Sequence, residues 1–322
     1  MPVTVSIPKE RWTGRVREIT LGATAAEGGT RSHTVSVGGE GALPFLTFEG
    51  QIPRQPVIAV EIQDRYPGDW SPLLLEAWGD TAKDVATWAK KAEELGADMV
   101  ALTLKSASPD SGDTGAAEAK ATVQAVLKAT GLPLIVYGPG QAEKDNEVLV
   151  AAAEVAKGER IVLGNCEDKN YRTIVAAALA HGQLVVARSP IDVNLAKQLN
   201  ILISDMRLEP DRILMDPTTG ALGYGLEYTY SVMERLRLAA LTGDSMTQQP
   251  IICTVGEEAW RTKEAKVNTG VPAAWGDWKT RSVLWEVLTA TTLIEAGADI
   301  VVLRHPESIA PVAKAIAGLM AG

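Results

Sequence analysis

The stretch ILMDPTTGALGYGLEYTYSVMERLRLAAL, residues 213–241, runs from an apolar segment through Asp216 and Pro217 into a loop of three glycines and two hydroxyls, Thr218 and Thr219. A carboxylate at a strand end, followed by glycines that admit close backbone approach, suits a flat ligand or a cofactor. Asp64, Glu167, Asp192 and Glu257 are further carboxylates from which an acid/base pair could be drawn. Asp192, in SPIDVNLAKQL, also reads as a helix N-cap. The groups of harder chemistry are sparse. There are three histidines, at 33, 181 and 305, and two cysteines, at 166 and 253, far apart and outside any CxxC context. A three-histidine metal site would have to join a hairpin, a helix end and the last strand, and no Ser-His or Cys-His partnership is visible. His181 suits the last turn of a helix, where a cation complements the dipole. His305, in LRHPES, is the one histidine near the expected functional face, with a competing role at the start of the next helix. Tyr224, Tyr228 and Tyr230 suit either ligand stacking or ordinary packing. Neither GxxxxGK[ST] nor GxGxxG occurs where a nucleotide would need it.

The elements that position these residues follow from periodicity. Eight short β-branched runs alternate with longer helical segments: VIAVEI, DMVALTL, PLIVYG, RIVLGNC, LVVARS, RILMD, PIICTVG and DIVVLRH. This alternation predicts parallel strands joined by helical crossovers, closed as an α/β (β/α)8 TIM barrel in preference to a doubly wound open sheet. Glycines at 96, 131, 158, 182 and 297 each stand between a helix and a strand and are expected to close those helices in the left-handed conformation. Residues 1–50 read differently. RVREITLGA and SHTVSVGGE alternate apolar and polar residues around TAAEGGTR, which predicts an N-terminal β-hairpin extension able to plug the barrel floor. The division is therefore 1–50 for the hairpin extension and 51–322 for the barrel. Chemistry in such barrels gathers on loops after the strands. Here those loops supply Gln63, Lys105, Asn165, Arg188, Asp216, Thr218, Thr254, Glu257 and Arg304.

Composition narrows the function classes. The 322 residues are 46% hydrophobic and 22% charged, as expected of a chain with a sizeable core. A net charge of -9 without a Lys/Arg run argues against a nucleic-acid partner. No apolar run approaches the roughly 18 residues of a spanning helix and no leader pattern opens the chain, so the expectation is a cytoplasmic protein with no membrane partner.

Across nearly its whole length the chain resembles the small subunit of the corrinoid iron-sulfur protein, the delta subunit family of the acetyl-CoA decarbonylase/synthase complex. The resemblance is carried by LGATAAEGGTRSHTVSVGGEGALPF, FEGQIPRQPVIAVEIQD, VLGNCEDKNY, ARSPIDVNLAKQLNILI, MDPTTGALGYGLEYTYSVMERLRLAAL, PIICTVGEEAWRTKEA and LRHPE. It implies an obligate heterodimer with a large subunit that carries a [4Fe-4S] cluster and a cobalamin domain. The cobalamin (corrinoid) would lie between that domain and this barrel. It would take a methyl group from methyltetrahydrofolate through a separate methyltransferase and pass it to acetyl-CoA synthase. Two distant cysteines cannot hold a four-thiolate cluster, and no DxHxxG pattern supplies a cobalt-ligating histidine, so the partner would bring both groups. On this reading the chain is a non-catalytic scaffold and cap. The expected corrin-facing residues are Asn165, Asp192, Asp216, Thr218, Thr219 and Gly220, with His305 pointing away. The alternative is a pterin-binding, methyltetrahydrofolate-dependent methyltransferase barrel with Asp216 and Asn165 as pterin contacts. A third reading is a metabolic aldolase or decarboxylase barrel using Lys105 as a Schiff base.

Overall fold

A computed structural model describes residues 6–321 of the chain. Two short strands, β1 (Ile19–Leu21) and β2 (Val35–Val37), pair antiparallel with Ile19 opposite Val37 and Leu21 opposite Val35. Eight parallel strands follow: β3 (Val57–Gln63), β4 (Met99–Thr103), β5 (Leu134–Tyr137), β6 (Val162–Cys166), β7 (Leu184–Arg188), β8 (Ile213–Asp216), β9 (Ile252–Cys253) and β10 (Ile300–Leu303). Their order is β8-β7-β6-β5-β4-β3-β10-β9. A bridge between Met215 and Ile251, with Met215 N–H donating to the Pro250 carbonyl at 2.8 Å, brings the two ends together and closes the expected (β/α)8 barrel. The seventh run, PIICTVG, yields only the two residues of β9, because Thr254 already opens the helical turn Val255–Ala259. No described helix is long and apolar enough to cross a membrane.

The core has two layers set by the period of two along each strand. One set of side chains packs outward against the helices. The other faces the barrel axis: Val57 and Ala59, Met99 and Ala101, Ile135, Val162, Leu184 and Val186, Leu214, Ile252, Ile300 and Val302. Ile19, Leu21, Val35 and Val37 of the hairpin belong to this same inner cluster, so the hairpin stoppers the N-terminal end of the barrel. Burying each such side chain is worth roughly 1.5–3 kcal/mol. Polar bonds fix the stopper's position. Arg31 donates to Glu159 at 2.9 Å and to the carbonyls of Thr130, Leu132 and Leu127 at 2.7, 3.1 and 2.6 Å. Gly22 N–H donates to the Arg160 carbonyl at 3.1 Å.

Of the five junction glycines, Gly96, Gly158, Gly182 and Gly297 adopt the left-handed conformation, whereas Gly131 does not. Gly131 serves close approach instead. A Cβ there would stand 2.6 Å from the Ser32 hydroxyl of the hairpin loop, whose backbone N–H donates to the Gly131 carbonyl at 2.8 Å. At the opposite end Glu286, wholly buried in the helix Trp278–Glu295, accepts from the backbone N–H groups of Arg304 (2.6 Å) and His305 (3.1 Å) and from Ser308 Oγ (2.6 Å). It thereby ties that helix to the end of β10 and to the start of the helix Pro306–Ala321.

Candidate functional site

Continuing the inward period past the apolar layers places Glu61 and Gln63, Thr103, Tyr137, Arg188, Asp216, Thr254 and Arg304 at the C-terminal mouth. The floor of this mouth is a polar network. Arg304 grips Glu61 with two hydrogen bonds, 2.7 and 2.8 Å, while its guanidinium lies 4.8 Å from the Trp70 ring centre. Gln63 donates to Glu61 at 3.3 Å. Arg188 Nε stands 3.8 Å from the Asp216 carboxylate, which is wholly covered. Burial pushes Asp216 up to about 6, although Arg188 pulls it down. Burial also raises the Tyr137 hydroxyl, with the charge of Asp216 adding to the effect. Burial pushes Glu257 upward too, but Arg304, Arg261, Arg188 and Lys105 together hold it below its ordinary value, and Arg261 donates to it at 2.7 Å. Several buried polar atoms of this region have no partner among the described residues: Gln63 Oε1, Tyr137 Oη, Asn165 Oδ1, Ser189 Oγ and Asp216 Oδ2.

The glycine loop after β8 is built around Asp216. Thr218 takes a positive φ of 64°, a strained backbone for a β-branched residue. It is held there by two bonds, its N–H donating to Asp216 Oδ1 at 2.9 Å and its hydroxyl to the Ser189 carbonyl at 2.6 Å. Asp216, Thr218 and Ser189 are thus one connected unit. Asn165, next to last in β6, lies within a register shift in the pairing with β7, and its carbonyl accepts from the Asn170 amide at 3.0 Å. The other expected residues are turned to structural work. Asp192 caps the helix Val193–Asp205, accepting from the N–H groups of Asn194 and Leu195 at 2.7 and 2.9 Å. Thr219 is buried and its hydroxyl accepts from Thr254 N–H at 2.9 Å, lacing two loops together. Gly220 is buried where a Cβ would lie 2.5 Å from the Gly225 carbonyl oxygen, and its N–H donates to Thr229 Oγ1 at 2.7 Å.

Glu61 and Tyr137 also face the mouth, although they belong to the strands and not to the loops that follow them. Their signal was present: Glu61 is a carboxylate on the inward parity of VIAVEIQ, in step with Val57 and Ala59. His305 is buried, stacks on Trp260 at 5.5 Å, accepts from Glu307 N–H at 3.1 Å and is pushed down to about 4 by burial. It works as a neutral start to the last helix. Cys166 and Cys253 are buried thiols raised by desolvation. Lys105 follows β4 in a short turn, and its charge acts on Glu257. Tyr224, Tyr228 and Tyr230 are exposed, so core packing does not account for them.

Beside the mouth, the loops after β6 and β7 and the helix Val193–Asp205 enclose a cleft of about 660 Å³. Lys169, Arg188, Ser189 and Thr218 line its polar side, and Pro190, Leu195, Leu199 and Leu202 its apolar side.

Residues 18–316 match the family model described as CO dehydrogenase/acetyl-CoA synthase delta subunit. The chain is 41% identical over 312 residues to the acetyl-CoA decarbonylase/synthase complex subunit delta of Archaeoglobus fulgidus, covering 94% of this chain and 68% of that protein. It is 39% identical over 305 residues to the subunit of the same name from Methanopyrus kandleri, covering 94% and 75%. Among solved structures it is similar to a Coxiella burnetii dihydropteroate synthase in complex with pteroic acid, with a TM-score of 0.57 and 11% identity over 87% of this chain and 99% of that one. A Xanthomonas albilineans dihydropteroate synthase with 4-aminobenzoic acid gives a TM-score of 0.57 and 16% identity over 83% and 93%. At such identities these two likenesses establish the barrel fold alone.

Proposed function

Because the chain belongs to the CO dehydrogenase/acetyl-CoA synthase delta subunit family, we propose that it is the non-catalytic barrel subunit of a cytoplasmic methyl-carrying complex. Its partner is a large subunit that brings the corrinoid and the [4Fe-4S] cluster, and its mouth covers the corrinoid. The methyl group passes from methyltetrahydrofolate, through a separate methyltransferase, to acetyl-CoA synthase. The bound corrinoid would supply the cobalt that carries the methyl group.

One observation carries this reading. The mouth is lined by amides, hydroxyls and charges, several of them without a partner among the described residues, while the groups that would compete for cobalt are sealed or held. His305 lies against Trp260, and both thiols are buried. Glu61 is held by Arg304, Glu257 by Arg261, and Asp216 is covered beside Arg188. Such a surface suits the edge amides of a corrin and offers no free soft ligand to its metal. In this arrangement Asn165, Asp216 and Thr218 shape the wall, while Asp192, Thr219 and Gly220 hold its loops in place. Purifying the chain alone and together with the large subunit tests the division of labour. Corrin absorbance and iron are expected only in the pair; tight binding of both by the chain alone would overturn it.

The methyltransferase alternative draws on Asp216, a buried carboxyl pushed up to about 6 that could hold a proton for a pterin nitrogen, and on the pteroic acid named for the Coxiella burnetii structure. Its difficulty is access, since the Asp216 side chain is 0% exposed and Arg188 would have to move. Calorimetry with methyltetrahydrofolate separates the readings. Micromolar binding to this chain, lost in Asp216→Ala, would favour the enzyme.

A further inference from the structure

We propose that the cleft beside the mouth is a binding site for a small amphipathic carboxylate, with Arg188 as its anchor. The inference stands on this chain's own cleft and is independent of the corrinoid reading.

Arg188 is the starting point. Its guanidinium makes no hydrogen bond among the described residues; the nearest of the carboxylates whose charges act on it, Asp216, lies at 3.8 Å, beyond hydrogen-bond reach, with Glu257 and Glu167 acting at longer range. Asp216 therefore steadies the cation from behind without occupying its fork of N–H groups, which remains 29% exposed as a side chain and lines the cleft. A planar carboxylate matches that fork with two parallel hydrogen bonds. Next to it the Ser189 hydroxyl is buried and unpartnered, a ready donor to the same group.

The rest of the lining selects the body of the ligand. Pro190, Leu195, Leu199 and Leu202 form an apolar wall, and Leu195 is 43% exposed although it faces this space. A ring or short hydrocarbon next to the carboxylate would cover that wall, whereas a small, strongly hydrated anion would leave it wet. Charge count selects a monoanion. Lys169 is already paired with Glu167 at 3.0 Å, Asp168 adds a second carboxylate to the lining, and Asp216 and Glu257 act on Arg188 from outside it, so a doubly charged phosphate ester meets about twice the repulsion that a carboxylate meets. The volume of about 660 Å³ accommodates a bicyclic aromatic acid with ordered water to spare.

The full chain is titrated calorimetrically at low salt with 2-naphthoate, with neutral 2-naphthalenemethanol and with dianionic 2-naphthyl phosphate. Naphthoate is expected to bind with a Kd of about 1 mM or tighter, and the alcohol and the phosphate each about tenfold more weakly. Arg188→Gln should weaken naphthoate about tenfold, and so should Leu195→Asp, which places a like charge on an exposed part of the wall and leaves the core untouched. Thermal melts of both variants verify the fold. Absence of naphthoate binding at millimolar concentration, equal affinity for acid and alcohol, or unchanged affinity in Leu195→Asp would each overturn the proposal.

Discussion

Asp216 concentrates at one residue the tension between fold and site. Its carboxyl is wholly covered, and burial raises its pKa from 3.8 to about 6, so the folded chain holds this proton more tightly than the unfolded one. The stability that this supplies is complete below pH 3.8 and is lost as the pH rises through about 6. Asp216→Asn keeps an acceptor for Thr218 N–H and carries no charge, so it should gain on the natural chain as the pH rises from 4 to 7, by up to about 3 kcal/mol. Urea denaturation at the two pH values measures the gain; an identical difference at both would contradict the buried-charge account. This residue was legible in the sequence because a proline and three glycines mark it out. Glu61 and Tyr137 carry a weaker signal, their place on one parity of an apolar run, which points to the mouth only once the barrel decides which parity faces the axis. Thr219 and Gly220 stand in the same loop yet turn into it, a distinction made by hydrogen bonds that no local pattern encodes.

Among the elements, the hairpin shows how much rests on one cation. We propose residue 50 as the boundary between the extension, 1–50, and the barrel, 51–322, with the two joined chiefly by the inner apolar cluster and Arg31. Arg31 and Glu159 are both nearly out of water. Arg31→Met takes the cation from the nearly buried Glu159 carboxylate, which keeps its two bonds from Thr30, and leaves three carbonyls without their donor, and it should cost about 3–5 kcal/mol. Adding Glu159→Gln should recover part of that loss, because the unpaired charge is gone. Denaturation midpoints of the single and double variants provide the measurement, and an Arg31→Met chain as stable as the parent would show that the hairpin's seat does not rest on this cation. The two strands could be read from their alternation around a glycine turn. The service of Gly131 could not: its smallness answers to Ser32, about a hundred residues earlier in the chain, and its position after a helix resembles an ordinary cap.

At the scale of the whole molecule, eight alternating strand and helix signals favour a closed barrel over an open sheet, and the closure itself is made between β8 and β9. Most neighbouring pairs from β3 to β8 share three to five registered residues, whereas the β8–β9 seam has the single bridge of Met215 and Ile251. Fewer ladder bonds mean a lower cost of local opening. Native-state hydrogen exchange should therefore release the Met215 amide ahead of the Val136 and Leu163 amides, which lie within the continuous part of the ladder; equal protection would argue against a weak seam. The far end of the barrel has another consequence. With the hairpin lodged in its floor, the molecule is a cup and not a tube, and whatever reaches the axis must come and go by the same doorway.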